Sequence, residues 1–173
     1  MKIRRSWFNI YFLALATLFV VGCETTEQKQ KGKEAATMRL HMESRNEPMG
    51  KLGNISINRE NPIPLSVKQE PFLDSGDIDS ASVVDYMGGF VIQLQMNEHG
   101  TFVLDMTTTS NKGRRMAIFA NWGPARWLAA PMIDQRIANG IVTFTPDCTR
   151  EEADRIVTGL NNVSKKLKKS SFF

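Results

Sequence analysis

Residues 88–113 read GGFVIQLQMNEHGTFVLDMTTTSNKG, and a change of period inside this stretch decides the fold. Up to Met96 the apolar residues alternate. Phe90, Ile92, Leu94 and Met96 face one way, and Gln93, Gln95 and Asn97 the other, which predicts a strand with one buried face. From Glu98 the period lengthens. Phe102, Val103 and Met106 fall at helical spacing, Asn97 stands where an N-cap belongs, and Gly113 follows as a stop signal. The β-branched residues Thr101 and Thr107 to Thr109 weaken this helix, so packing must hold it.

On the N-terminal side, TMRLHMES alternates Met38, Leu40 and Met42 against Arg39, His41 and Glu43. That is a strand with its second face in water. ISINRE and PLSVKQEPF follow as short extended pieces bounded by Pro62, Pro64 and Pro71, which suit edge strands or strand ends. LDSGDIDSAS is compatible with a short helical turn capped by Ser75 or Asp74. SVVDY precedes Gly88 as another strand-like piece.

On the C-terminal side, RRMAIFANW and RWLAAPMI read as strands around a Gly-Pro turn, NWGPA, and GIVTFTP as a further strand. The strongest helix is TREEADRIVTGLNNVSKKLKK. Thr149 and Glu152 form a capping box, and Ala153, Ile156, Val157, Leu160, Val163 and Leu167 make an apolar stripe. Acidic residues come first and lysines last, as the helix dipole favours. Gly159 costs about 1 kcal/mol relative to alanine there and is a mark of close packing against a sheet. The sum is an α+β fold: a two-layer sandwich of a mainly antiparallel sheet with two main helices on one face.

The chain has 173 residues and two cysteines. Lys2, Arg4 and Arg5 precede an apolar run from Phe8 to Val21, broken only by Asn9 and Thr17. This is the layout of a secretory signal, and the run is too short for a stable span of about 20 residues. It ends Val20-Val21-Gly22-Cys23, which resembles a bacterial lipobox. That resemblance implies cleavage after residue 22 and acylation of Cys23, with the chain anchored to a membrane through its N-terminal lipid. The competing reading is an uncleaved signal anchor with an incidental cysteine. Glu24, by resemblance to proteobacterial lipoproteins, favours the outer over the inner membrane. Residues 23–35 are polar and free of aromatics, the composition of a flexible tether. The domain is expected over 36–164, with a basic tail at 165–173.

Three of the 22 basic residues lie in the signal, leaving 19 against 18 acidic residues. Four of those 19 sit in KKLKK at 165–169, so the body is slightly acidic and gives no support to nucleic-acid binding. KKLKK reads first as a solvated helix end and second as a contact for anionic headgroups. Cys148 has no intrachain partner once Cys23 is acylated. It reads as a half-buried turn residue in preference to a reactive thiol near a helix start. No phosphate loop, nucleophile elbow or zinc spacing is present, and Asp74, Asp77, Asp79 and Asp85 lack the pattern of a calcium loop. No catalytic residue, metal or cofactor is expected.

From Gly88 to Asn162 the chain resembles the head subdomain of the first periplasmic domain of the SecD/SecDF protein-export subunit. Gly89 opens a strand that ends at Met96-Asn97, and Gly100 leads a helix. Asn111, Gly113 and Arg114 match an Asn-x-Gly-Arg turn, and Ala117-Ile118 an Ala-Ile strand. Ala130-Pro131 with Ile133, Ile137 with Gly140, and Phe144-Thr145 with Glu151-Glu152-Ala153 follow in order. Residues 36–85 resemble the segment before the head. The resemblance implies a ferredoxin-like fold and a periplasmic setting. By analogy it implies contact with unfolded preprotein or the Sec translocon. Three departures stand out: the family's Asp-Gly turn is replaced by NWGPAR, and the mature chain is expected to lack both the family's membrane helices and its base subdomain.

The first functional expectation is a non-catalytic, lipid-anchored periplasmic binding module, accessory to protein export. Trp122 and Trp127, with Arg126 between them, flank a turn that looks exposed and are its expected partner-binding residues. Seven of the nine methionines lie between Met38 and Met116; core filling is their first reading and adaptable contact surface their second. The alternative is a structural envelope lipoprotein acting through stable protein contacts unrelated to export. The identity of the partner and the oligomeric state are not legible.

Overall fold

The computed structural model describes residues 33–44, 51–58 and 60–170, with side chains of 51–54 excepted. The signal, Cys23 and most of the tether lie outside the described residues. The described chain runs β1 (Thr37–Met42), β2 (Lys51–Ile57), β3 (Ile63–Lys68), β4 (Leu73–Asp74), β5 (Ile78–Tyr86) and β6 (Gly89–Met96). It continues as α1 (Glu98–Ser110), β7 (Met116–Asn121), β8 (Ala125–Ala129), β9 (Ile141–Phe144) and α2 (Arg150–Ser170). The fold is α+β, with every strand pairing antiparallel.

The strands form three sheets, in the orders β4-β1-β7-β8, β5-β6-β9 and β2-β3. The four-stranded and three-stranded sheets share one core with both helices. Met38, Leu40, Ile92, Leu94, Leu104, Ile118, Leu128, Ile156 and Leu160 are all at most 2% exposed within it. A smaller cluster of Ile57, Leu65, Val67 and Ala117 joins the β2-β3 ribbon to the other face of the four-stranded sheet. The ribbon therefore covers the His41 end of that second face, while Thr37 and Arg39 on it are exposed, so the wet face expected for β1 holds only at its start. His41, on the same face, is only 4% exposed. Alternation separated the two faces of β1 correctly, but a polar residue facing a second layer reads in sequence like one facing water.

The β5-β6 hairpin turns at Met87 and Gly88, both with positive φ, at 45° and 77°. This two-residue geometry suits the right-handed twist of the strands, and glycine adopts it without strain. The residues before it form no helical turn. Asp74 Oδ1 accepts from Gly76 N at 2.7 Å and Asp77 Oδ2 from Asp74 N at 3.0 Å, closing a tight turn that leads straight into β5. Aspartate side chains that bond their own backbone compete with a helix at such a site.

The caps of both helices form as expected. Asn97 Oδ1 accepts from Gly100 N at 2.8 Å. Thr149 and Glu152 bond each other's backbone N–H groups at 3.0 and 3.2 Å. The inward face of α1 differs from the expected one. Gly100, Leu104 and Thr108 are buried, while Phe102 and Met106 are 64% and 57% exposed. Thr108 Oγ1 donates to Leu104 O at 2.8 Å, which satisfies a hydroxyl on the buried face.

Helix α2 packs on β5, β6 and β1. Ala153, Ile156 and Leu160 of the expected stripe are buried, while Leu167 is exposed. The Asn161 amide accepts from Ala81 N at 2.8 Å and donates to Ala81 O at 2.9 Å, so it satisfies the edge of β5 as a neighbouring strand would. Ser164 Oγ donates to Asp79 O at 2.7 Å beside it. Gly159 lies against the start of β1, where an added Cβ would stand 2.5 Å from Ala36 N. Glu34 O accepts from Asn162 Nδ2 at 2.9 Å, so the last residues of the expected tether lie on α2. KKLKK belongs to the final turns of the same helix, with Lys168 Nζ 2.5 Å from Asp79.

Candidate functional site

The β7-β8 turn carries the three residues singled out in the sequence, and the structure divides them. Trp122 is 5% exposed and belongs to the main core. It is not a contact surface, which corrects the exposed turn read from its Gly-Pro sequence. Gly123 and Pro124 are exposed, but the indole folds inward beneath Arg126, whose guanidinium carbon sits 4.9 Å from the ring centroid. Arg126 Nη2 donates to Asp147 O at 3.1 Å and to Glu152 Oε2 at 2.8 Å. The guanidinium thus ties β8 to the capping box of α2.

Trp127 and Arg126 do come together, in a cleft of about 400 Å³ lined also by Ser56, Asn58, Pro62, Phe119, Ala125 and Asp147. One wall is the four-stranded sheet. Register places Phe119 opposite Trp127, and their rings meet edge to face at 5.2 Å, a favourable aromatic geometry. Both are half-buried. The other wall is the turn of the β2-β3 ribbon, where Asn58 adopts φ 66°. The floor is aromatic and the rim polar, the usual constitution of a site for one apolar group with a few orienting contacts.

Behind the cleft lies His41. Its Nδ1 is 2.9 Å from Lys68 O, and its ring meets Trp127 edge-on at 5.3 Å. Burial, and secondarily the nearby Arg39 charge, hold its pKa below the ordinary 6.5 despite the Lys68 carbonyl. The ring is neutral at neutral pH. Cys148 is half-buried against the main core, at the residue before the capping box.

A second hollow of about 490 Å³ lies beside β9, lined by Met116, Met132, Ile137, Ile141 and Thr143 among others. β9 is the end strand of its sheet. Phe119 and Asn58 were not singled out in the sequence, and Pro62 was read only as the bound of a short edge strand. Phe119 was legible as an outward position of an alternating strand, but the ribbon residues that face it lie some sixty positions away and carry no local mark. Among the described residues, no group of three or more His, Cys, Asp or Glu side chains is placed to hold a metal. No described helix is long and apolar enough to cross a membrane.

The chain matches the model of the SecDF P1 head subdomain over residues 53–164. The chain belongs to this family. The match reaches back beyond Gly88 to include the ribbon and β5. No curated protein sequence matches the chain. Two of the solved structures that resemble it in fold illustrate the likeness. One is of SecDF, described as a membrane component that enhances protein export, with a TM-score of 0.55 and 19% identity. The other is SecDF in a super-membrane-facing form, at 0.56 and 19%. The alignments cover 79% and 80% of this chain but only 66% and 21% of those chains. At that identity the likeness concerns the fold alone.

Proposed function

We propose that this P1-head protein is a non-catalytic envelope module, anchored by lipid on Cys23 and accessory to protein export, that holds extended segments of unfolded polypeptide. The observation that carries the reading is the cleft that the edge-to-face pair Phe119 and Trp127 lines between the ribbon and the sheet. Its volume suits one large apolar side chain at a time. Export clients share an extended backbone and exposed apolar residues rather than a sequence, and stacking on an aromatic floor is tolerant of sequence. Family membership supports the export setting, and the expected lipobox supports a periplasmic location, with the outer membrane favoured by Glu24.

The test uses a reduced, carboxymethylated protein as the unfolded probe. Ala125 is exposed on the cleft rim, so Ala125→Tyr fills the mouth without touching the core. Binding of the probe by the parent chain, lost in this variant at unchanged melting temperature, is the expected result. Equal binding by both would remove the cleft from the account. The runner-up reading is a structural lipoprotein with a fixed partner, and the exposed Phe102 and Met106 on α1 favour it. Stoichiometric co-purification that Phe102→Ser abolishes would select it.

A further inference from the structure

His41 touches both walls of the cleft. Its Nδ1 meets the Lys68 carbonyl on β3, whose ribbon supplies Ser56, Asn58 and Pro62, and its ring meets Trp127 on the sheet side. A carbonyl only accepts, so Nδ1 bears the proton of the neutral ring, and any second proton goes to Nε2. The surroundings oppose that second charge. On the same face of β1, Arg39 and Glu43 lie two positions to either side, and Asp74 on β4 stands opposite Arg39. Lys68 is on β3 and Arg115 precedes β7, while β8 presents the uncharged Trp127. Lys68 meets the ring through its carbonyl, and the Arg39 charge opposes a second proton on a ring that is 4% exposed.

We propose that His41 is a pH-sensitive pin: in its neutral form it seats the β2-β3 ribbon on the sheet, and its protonation loosens the ribbon and weakens binding in the cleft. The binding half of this rests on the function proposed above; the seating of the ribbon does not. The sign follows from the favoured neutral form. A buried ring with a depressed pKa stabilises the seated state fully above the ordinary value of 6.5. That contribution is lost as pH falls from there through the seated ring's own value. Among the described residues the ribbon is held otherwise by a small hydrophobic cluster and by the backbone pairing of Glu43 and Ser44 with Val67 and Ser66, contacts separate from the main core, so the loss falls on the ribbon.

The experiment follows amide exchange of Ile55, Leu65 and Val67 in the full chain, with binding of the carboxymethylated probe, at about pH 7.5 and about pH 5.5. Exchange is read as protection, corrected for its intrinsic slowing in acid; expected are lower ribbon protection at the acid pH and affinity weaker by roughly threefold or more. His41→Gln keeps a side-chain donor for Lys68 but cannot charge, so it removes both responses. His99, largely exposed beside Asp77, is the control, and His99→Gln leaves them intact. Acid-independent exchange, or an unaltered acid response in His41→Gln, overturns the proposal. Acid-sensitive exchange in a chain that binds no probe at either pH supports the pin and sinks the cleft reading. If His41→Gln fails to fold, the His41 ring titration in the parent chain decides. A midpoint coinciding with that of ribbon exchange supports the pin, and separate midpoints overturn it.

Discussion

Replacing Gly159 by alanine tests the closest approach in the fold, and the sign of the effect is the informative part. In an exposed helix interior the change stabilises by about 1 kcal/mol, because alanine loses less backbone freedom. Here the added Cβ would stand 2.5 Å from Ala36 N, 2.7 Å from Ala36 Cβ and 2.8 Å from Ala35 C. Carbon contacts are comfortable at about 3.5–4.0 Å, so helix and strand must part by roughly 1 Å. Two of the three neighbours are backbone atoms, which cannot swing aside like a long side chain. Overpacking of this kind costs about 1–3 kcal/mol. The retreat also strains the 2.9 Å bond from Asn162 to Glu34 O, contributing about 1 kcal/mol. After the propensity gain, Gly159→Ala is expected to destabilise by about 1–3 kcal/mol, a fall in Tm on the order of 5 °C. Thermal unfolding followed by circular dichroism reads this directly. Lys165→Ala, on the exposed face of α2, serves as a control within about 0.5 kcal/mol. A rise in Tm for Gly159→Ala would refute the close contact between α2 and β1.

Two further changes probe what positions the site. Asn161→Ala leaves the Ala81 N–H and C=O without the amide that satisfies them; a loss of about 1–3 kcal/mol in urea unfolding is expected, and a neutral result would mean the β5 edge needs no such cover. On α1, Leu104→Ala should cost about 2–5 kcal/mol and Phe102→Ala less than about 0.5. A reversal of that order in the same assay would restore the inward face expected from the sequence.

The sequence made some of this legible, for identifiable reasons. Period 2 in residues 90–96, the Thr149-Glu152 box and Asn97 are local signals, and local chemistry fixed β6 and both helix starts. Gly159 carried a packing signal because glycine has little other reason to sit in the strongest helix. Where a residue's fate depended on a distant layer, the pattern misled. His41 looked solvated because the ribbon that covers it comes later in the chain and leaves no mark beside it, and Trp122 looked exposed because its turn is. Phe102 and Met106 have the spacing of a buried face, yet Gly100, Leu104 and Thr108 allow closer approach and take that place. The cleft itself joins residues 56–62 to 119–127, a pairing that no local pattern in either segment announces.

The most direct test of the polypeptide-binding account is photocrosslinking from a defined position in the full chain to a defined unfolded probe. A photoreactive residue at 125, on the rim of the cleft, should capture the carboxymethylated protein through its apolar segments. The same residue at 166, on the far side of α2, should capture little. Equal yields from both positions, or none from 125 under conditions where the probe binds, would contradict the account.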